Sequence, residues 1–136
     1  MRPGVAEGEL LGGNLAVLTA LLGTPYEPRW RDSVLFLEDI GENVYRIDRM
    51  LSQLKNAGIL AQVRGIVLGS FTAIPDDTPN RDLMEVMGEY FLPLGVPVLA
   101  GFPFGHVSPK VTLPMGAGVR LDAGKKRLRF LHPIVG

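Results

Sequence analysis

Two histidines stand in the chain, and one of them, His106, follows directly on a short apolar run and a glycine in Phe102-Pro103-Phe104-Gly105-His106-Val107-Ser108-Pro109. Residues 97–101, Pro-Val-Leu-Ala-Gly, read as a brief buried strand, so the imidazole falls just past a strand end. A second apolar run, Val34-Leu35-Phe36-Leu37, closes on Glu38. An imidazole and a carboxylate at the ends of two core strands can form a general base with its orienting group, lacking only the nucleophile of a triad. In that arrangement the carboxylate accepts the Nδ1 proton, fixes the tautomer and stabilises the imidazolium formed in the reaction. Asp39 stands next door as a substitute acceptor, although its spacing to Glu42 suits a helix-capping pair better. His132, beside Pro133 near the tail, reads as solvated.

Each candidate has a plainer alternative. His106 could be a loop histidine that ties its segment down by a backbone hydrogen bond. Glu38 could pair with Arg46 or Arg49, or cap the following helix. What favours chemistry is location, because ligands of α/β sheets gather beyond the carboxyl ends of the strands. The nucleophile itself is missing. A serine hydrolase wants its serine on a strained strand-to-helix elbow of the Gly-x-Ser-x-Gly kind, and none is present. Among Ser33, Ser52, Ser70 and Ser108, Ser70 is best placed, but Gly69-Ser70-Phe71-Thr72 leads into a loop. There is no phosphate-cradling glycine loop with its lysine, the two histidines make no metal motif, and no cofactor or metal is expected.

Composition narrows the class further. A chain of 136 residues, 46% hydrophobic and 21% charged, can bury one compact core. It holds no cysteine, which rules out disulfides and thiolate sites and fits a reducing compartment, so the cytoplasm is expected. Fourteen basic and fourteen acidic residues cancel without long runs of either sign, which argues against nucleic acid or an anionic membrane as partner. No apolar run approaches the roughly twenty residues of a membrane span, and Met1-Arg2-Pro3-Gly4 does not open a secretory leader.

The elements alternate. Residues 1–8, rich in glycine and proline, read as a linker, and Glu9 to Gly13 as a short extended piece. Asn14 can cap a helix over 15–22, apolar nearly all round and so expected to be buried, which closes at Gly23 and Pro25. The strand 34–37, apolar at every position, should be covered on both faces. A helix over 43–56 follows with Val44, Ile47, Leu51 and Leu54 at three- and four-residue spacing, then a strand over 65–69, a loop over 74–80, a helix over 81–91 and the strand at 97–101. From residue 111 short strands with glycine turns, 111–113, 118–122 and 127–131, should pair antiparallel. The expected architecture is α/β: a small, mostly parallel sheet with helices on one side, right-handed crossovers, and a small antiparallel sheet added at the end.

Gly12-Gly13-Asn14-Leu15, Leu35-Phe36-Leu37-Glu38-Asp39, Tyr45-Arg46-Ile47-Asp48-Arg49-Met50-Leu51 and Gly105-His106 together resemble, in order and over almost the whole chain, the C-terminal domain of the LD-carboxypeptidase family of serine peptidases. That family includes murein tetrapeptide carboxypeptidases and microcin-immunity peptidases. The resemblance implies a swivelling β/β/α-type domain over 9–136 and a serine–glutamate–histidine triad with Glu38 and His106 at the matching positions. It also implies an N-terminal domain carrying the serine, which is absent here, residues 1–8 being the remnant of the interdomain linker. The implied partners are that nucleophile domain and a muropeptide tetrapeptide that loses its terminal D-alanine in wall recycling. Two other functions compete: a phosphohistidine carrier, which would want His106 at a helix N-terminus, and a homodimerisation module using the Tyr45 to Leu54 helix face, with Arg46-Ile47-Asp48-Arg49 as interface rather than as the polar face of its helix.

Overall fold

The computed structural model describes residues 1–75 and 81–133. Six strands form one mixed sheet: β1 (Val5–Asn14), β2 (Ser33–Ile40), β3 (Gly65–Thr72), β4 (Val98–Leu99), β5 (Gly118–Asp122) and β6 (Arg127–Phe130). Their order across the sheet is β4-β3-β2-β1-β5-β6. The pairs β1/β2, β2/β3 and β3/β4 are parallel, whereas β1/β5 and β5/β6 are antiparallel. Three helices, α1 (Leu15–Ala20), α2 (Val44–Asn56) and α3 (Leu83–Phe91), make the crossovers between the parallel strands. The α/β class and the helices gathered on one side are therefore as the sequence predicts. No helix among the described residues is long and apolar enough to cross a membrane.

Side-chain alternation along the central strands divides the interior in two. Leu11, Leu35, Leu37, Ile66 and Leu68 face the helices and pack with Leu15, Ile47, Leu51, Leu54, Val86 and Phe91. Leu10, Val34, Phe36 and Val67 face the other way, against Leu99, Phe104, Val119 and Leu121. Among the described residues, no helix covers this second face. It is closed by the loop after β4, through Phe102, Phe104 and Leu113, and by the curled β5–β6 hairpin. Because β2 is covered on both faces, seven of its eight residues are buried, which is why the run reads as apolar at every position.

Several details differ from the expectation. The first strand begins at Val5 and not at Glu9, so Val5 to Gly8 lie in the sheet; they pair antiparallel with Val119 to Asp122. The terminal antiparallel strands extend the same sheet beyond β1 and form no separate one. Residues 111–113 are not a strand: the Val111 amide donates to the Pro103 carbonyl at 2.8 Å and Leu113 turns into the second core. Helix α1 is shorter than predicted and is not wholly buried, since Val17 is exposed. Asn14 does cap it, accepting the Val17 amide proton at 3.0 Å. Most of the loop expected over 74–80 lies outside the described residues.

Asp39 does not cap α2, whose N-cap is Asn43. It caps α1 from across the sheet, accepting from the Ala16 amide at 2.9 Å and from Asn14 Nδ2 at 3.0 Å. The physical reason is alternation. Asp39 continues the series Leu35, Leu37 toward the helices, and there meets the positive end of α1.

Candidate active site

The same alternation sends Glu38 the opposite way. It continues Val34 and Phe36 onto the face without helices, and it does so near the carboxyl end of β2. There the β2/β3 register shifts: Leu37 pairs with Leu68 but Asp39 pairs with Phe71, so Gly69 and Ser70 together oppose Glu38. A bulge of this kind re-aims side chains and opens the ladder locally.

The loop leaving β4 fills that opening. The Phe102 amide donates to the Leu68 carbonyl at 3.0 Å, continuing the parallel ladder irregularly past the two residues of β4. Both the Ser70 amide and the Ser70 hydroxyl then donate to the Phe104 carbonyl, each at 3.0 Å. Gly69 permits this approach, since a Cβ there would stand 2.7 Å from the Phe104 ring and carbonyl oxygen. The Phe104 ring meets Phe36 edge-on with centroids 5.3 Å apart, a contact worth about 0.5–1.5 kcal/mol beyond its area. These contacts fix the backbone immediately before His106.

His106 Nδ1 lies 2.9 Å from Glu38 Oε2. The Glu38 side chain is 9% exposed and that of His106 50%, so a buried carboxylate holds the inner edge of a ring whose other side is open to a partner. With Nδ1 engaged by an acceptor-only group, the neutral ring carries its lone pair on Nε2, which is the arrangement of a general base. Glu38 does not pair with Arg46 or Arg49; Arg46 lies 3.9 Å from Glu42. Ser70, the best-placed serine in the sequence, spends its hydroxyl proton on the loop carbonyl. His132 is exposed, as expected, and takes no part. No three His, Asp or Glu side chains among the described residues gather where they could share a metal ion.

The pair opens onto a cleft of about 350 Å³ whose lining includes Gly13, Phe36, Phe104, Lys110, Val111 and Leu113. His106 sits in an irregular loop and not at the start of a helix, so no helix dipole is available to a phosphoryl group on it. In α2, Ile47, Met50, Leu51 and Leu54 are all consumed by the core.

Between Glu38 and Ser70 sits Gly105. Its φ is +103°, and a Cβ there would come 2.6 Å from Ser70 Oγ and 2.8 Å from Glu38 Oε2. Gly105→Ala is therefore expected to destabilise the fold by about 1–3 kcal/mol and to push His106 away from Glu38. Thermal unfolding reads the first effect, and the ring NMR signals of His106 the second. An unchanged Tm with unchanged His106 ring signals would show that the loop tolerates the methyl.

Residues 7–121 match the family described as the LD-carboxypeptidase C-terminal domain. The chain belongs to that family. As an LD-carboxypeptidase C-terminal domain it is 36% identical over 124 residues to the murein tetrapeptide carboxypeptidase of Pseudomonas aeruginosa, covering 89% of this chain and 40% of that protein. It is 32% identical over 126 residues to the microcin C7 self-immunity protein MccF of Escherichia coli, covering 92% of this chain and 37% of that one. The crystal structure of muramoyltetrapeptide carboxypeptidase from Oxalobacter formigenes superposes with a TM-score of 0.81 at 38% identity, over 93% of this LD-carboxypeptidase domain and 45% of that chain. The domain thus spans about two fifths of the length of the curated relatives it matches.

The sequence singled out Glu38 and His106, and the structure brings them together. It named Gly105 only as the neighbour of His106, and it assigned no role to Gly69 or Lys110. Gly105 carried a signal in hindsight, being a glycine wedged between an aromatic and the candidate base. The bulge at Gly69-Ser70 had none, because register is a property of two strands and not of one.

Proposed function

We propose that this domain supplies the acid–base half of a serine-type LD-carboxypeptidase, with Glu38 and His106 as two members of a triad whose serine comes from an N-terminal domain. The observation that carries the reading is the 2.9 Å contact between His106 Nδ1 and the buried Glu38 carboxylate, on a cleft at the carboxyl ends of the parallel strands. His106 Nε2 takes the proton of the incoming serine hydroxyl as its oxygen attacks the carbonyl of an L,D-peptide bond. Glu38 stabilises the imidazolium so formed. The same proton then passes to the nitrogen of the departing D-alanine, the C–N bond breaks, and an acyl-serine remains. Water, deprotonated by His106, hydrolyses that ester and returns the serine.

Relatives named for murein tetrapeptide and muramoyltetrapeptide support a wall tetrapeptide ending in D-alanine as substrate. The compartment we assign is the cytoplasm, where a chain with no cysteine has nothing to lose to reduction. Alone, the domain has a base and nothing for it to activate. Incubated with the tetrapeptide L-Ala-γ-D-Glu-meso-diaminopimelate-D-Ala, it is expected to release no D-alanine. Joined to a nucleophile-bearing N-terminal domain of the family, it is expected to release D-alanine in a reaction blocked by serine-directed reagents. Turnover by the isolated domain, or none after joining, contradicts the reading.

A further inference from the structure

We infer that Lys110 is the carboxylate anchor of this cleft, the group that holds the free C-terminus of the substrate and makes the site an exopeptidase site. The inference rests on the function proposed above. An enzyme that removes one terminal residue must distinguish a chain end from a continuing chain, and the difference lies in one negative charge two bonds beyond the scissile nitrogen. A cation beside the general base recognises that charge directly, and an uncharged neighbour there does not.

Among the described residues, Lys110 is the one lysine or arginine lining the cleft that contains Glu38 and His106. Its charge is uncommitted. Arg46, Arg64, Arg81 and Arg120 each stand against a carboxylate, whereas Lys110 is exposed and enters no ion pair among the described residues. Glu38, the acid in the same cleft, is already engaged by His106. Lys110 is therefore the group that an arriving carboxylate meets without displacing anything.

Its place is set by its neighbours. The Val111 amide donates to the Pro103 carbonyl at 2.8 Å, which closes the loop from 103 to 111 on itself and returns Lys110 to the side of the cleft that His106 occupies. Leu113, two residues further, is packed into the second core. The backbone is thus tied just after Lys110, at Val111 and Leu113, while its four-carbon stem stays free to reach. Phe36, Val111 and Leu113 supply an apolar wall suited to a small methyl side chain, so one cleft offers a base, a cation and a methyl-sized apolar surface. The ligand class is a C-terminal α-carboxylate on a small residue. A lysine ammonium, a compact point charge with three donors, does not demand the planar bidentate geometry that arginine would.

The test uses the domain joined to its nucleophile-bearing domain and two substrates that share the scissile bond: the tetrapeptide above and its C-terminal carboxamide. The readout is the ratio of kcat/KM for acid over amide. Lys110→Met is expected to lower that ratio about 10- to 100-fold, the scale of a lost hydrogen bond to a charged group, with the loss falling mainly on KM. Lys110→Arg is expected to restore most of it. His106→Ala, run alongside, should depress both substrates together. An acid-to-amide ratio that Lys110→Met leaves at the wild-type value overturns the anchor while leaving the acid–base pair standing. Full activity of His106→Ala on both substrates overturns the proposed function and the anchor with it.

Discussion

Replacing His106 by alanine, in the domain joined to a nucleophile-bearing N-terminal domain of the family as proposed above, is expected to lower kcat by about four to six orders of magnitude, or about 5–8 kcal/mol of transition-state stabilisation. The size follows from the ring's position. Among the groups at the cleft it alone couples a buried carboxylate on one nitrogen to an open face on the other, so in the proposed mechanism both proton transfers pass through it. KM should change little, because the ring contributes to bond making and breaking more than to holding the ground state. Some stability is also lost: Glu38 is left with its carboxylate buried and its partner gone, at a cost of about 1–3 kcal/mol. Steady-state kinetics together with an unfolding curve separate the two effects, since a folded, inactive protein is the expected product.

Glu38→Gln is expected to cost about three to four orders of magnitude in kcat for a different reason. The substitution keeps the shape of the side chain, so packing against Gly105 and the loop survives. What changes is the proton. A carboxylate only accepts and therefore selects the Nδ1–H tautomer, whereas an amide also offers N–H donors. With an amide N–H aimed at Nδ1, the ring carries its proton on Nε2, where the base must be bare, and no negative charge remains to stabilise the imidazolium. Nitrogen-15 shifts of the His106 ring report the tautomer directly. The wild-type pattern should be Nδ1–H, and Glu38→Gln should shift it toward Nε2–H. Asp39, on the opposite face and committed to the N-terminus of α1, cannot take over.

The pairing of Glu38 with His106 was legible because each closes a short apolar run, and parallel strands deliver their carboxyl ends to one edge of a sheet. The choice between Glu38 and Asp39 was also written in the sequence, as alternation: Val34, Phe36 and Glu38 share one face and Leu35, Leu37 and Asp39 the other. Reading Asp39 with Glu42 as a local capping box missed this, since spacing in the chain cannot register that the free amides of α1 lie alongside β2. The β5–β6 hairpin was recognised, but its attachment to β1 was not. That attachment depends on Val5 to Gly8, whose glycine and proline surroundings mask a strand held entirely by a distant partner. The bulge at Gly69-Ser70 and the anchoring of the Phe104 carbonyl were beyond reach for the same reason. The segment 111–113 has strand composition, and its amide is claimed by Pro103 instead of a neighbouring strand.

In the proposed mechanism Glu38 and His106 act as one unit, and a double-substitution cycle in the joined enzyme tests this most directly. If the carboxylate works only through the imidazole, Glu38→Gln added to His106→Ala should remove nothing more, and the double variant should retain the kcat of His106→Ala alone. Losses that multiply, with the double variant lower than either single one by the product of their effects, would mean that the two side chains serve the reaction separately and would contradict the pair.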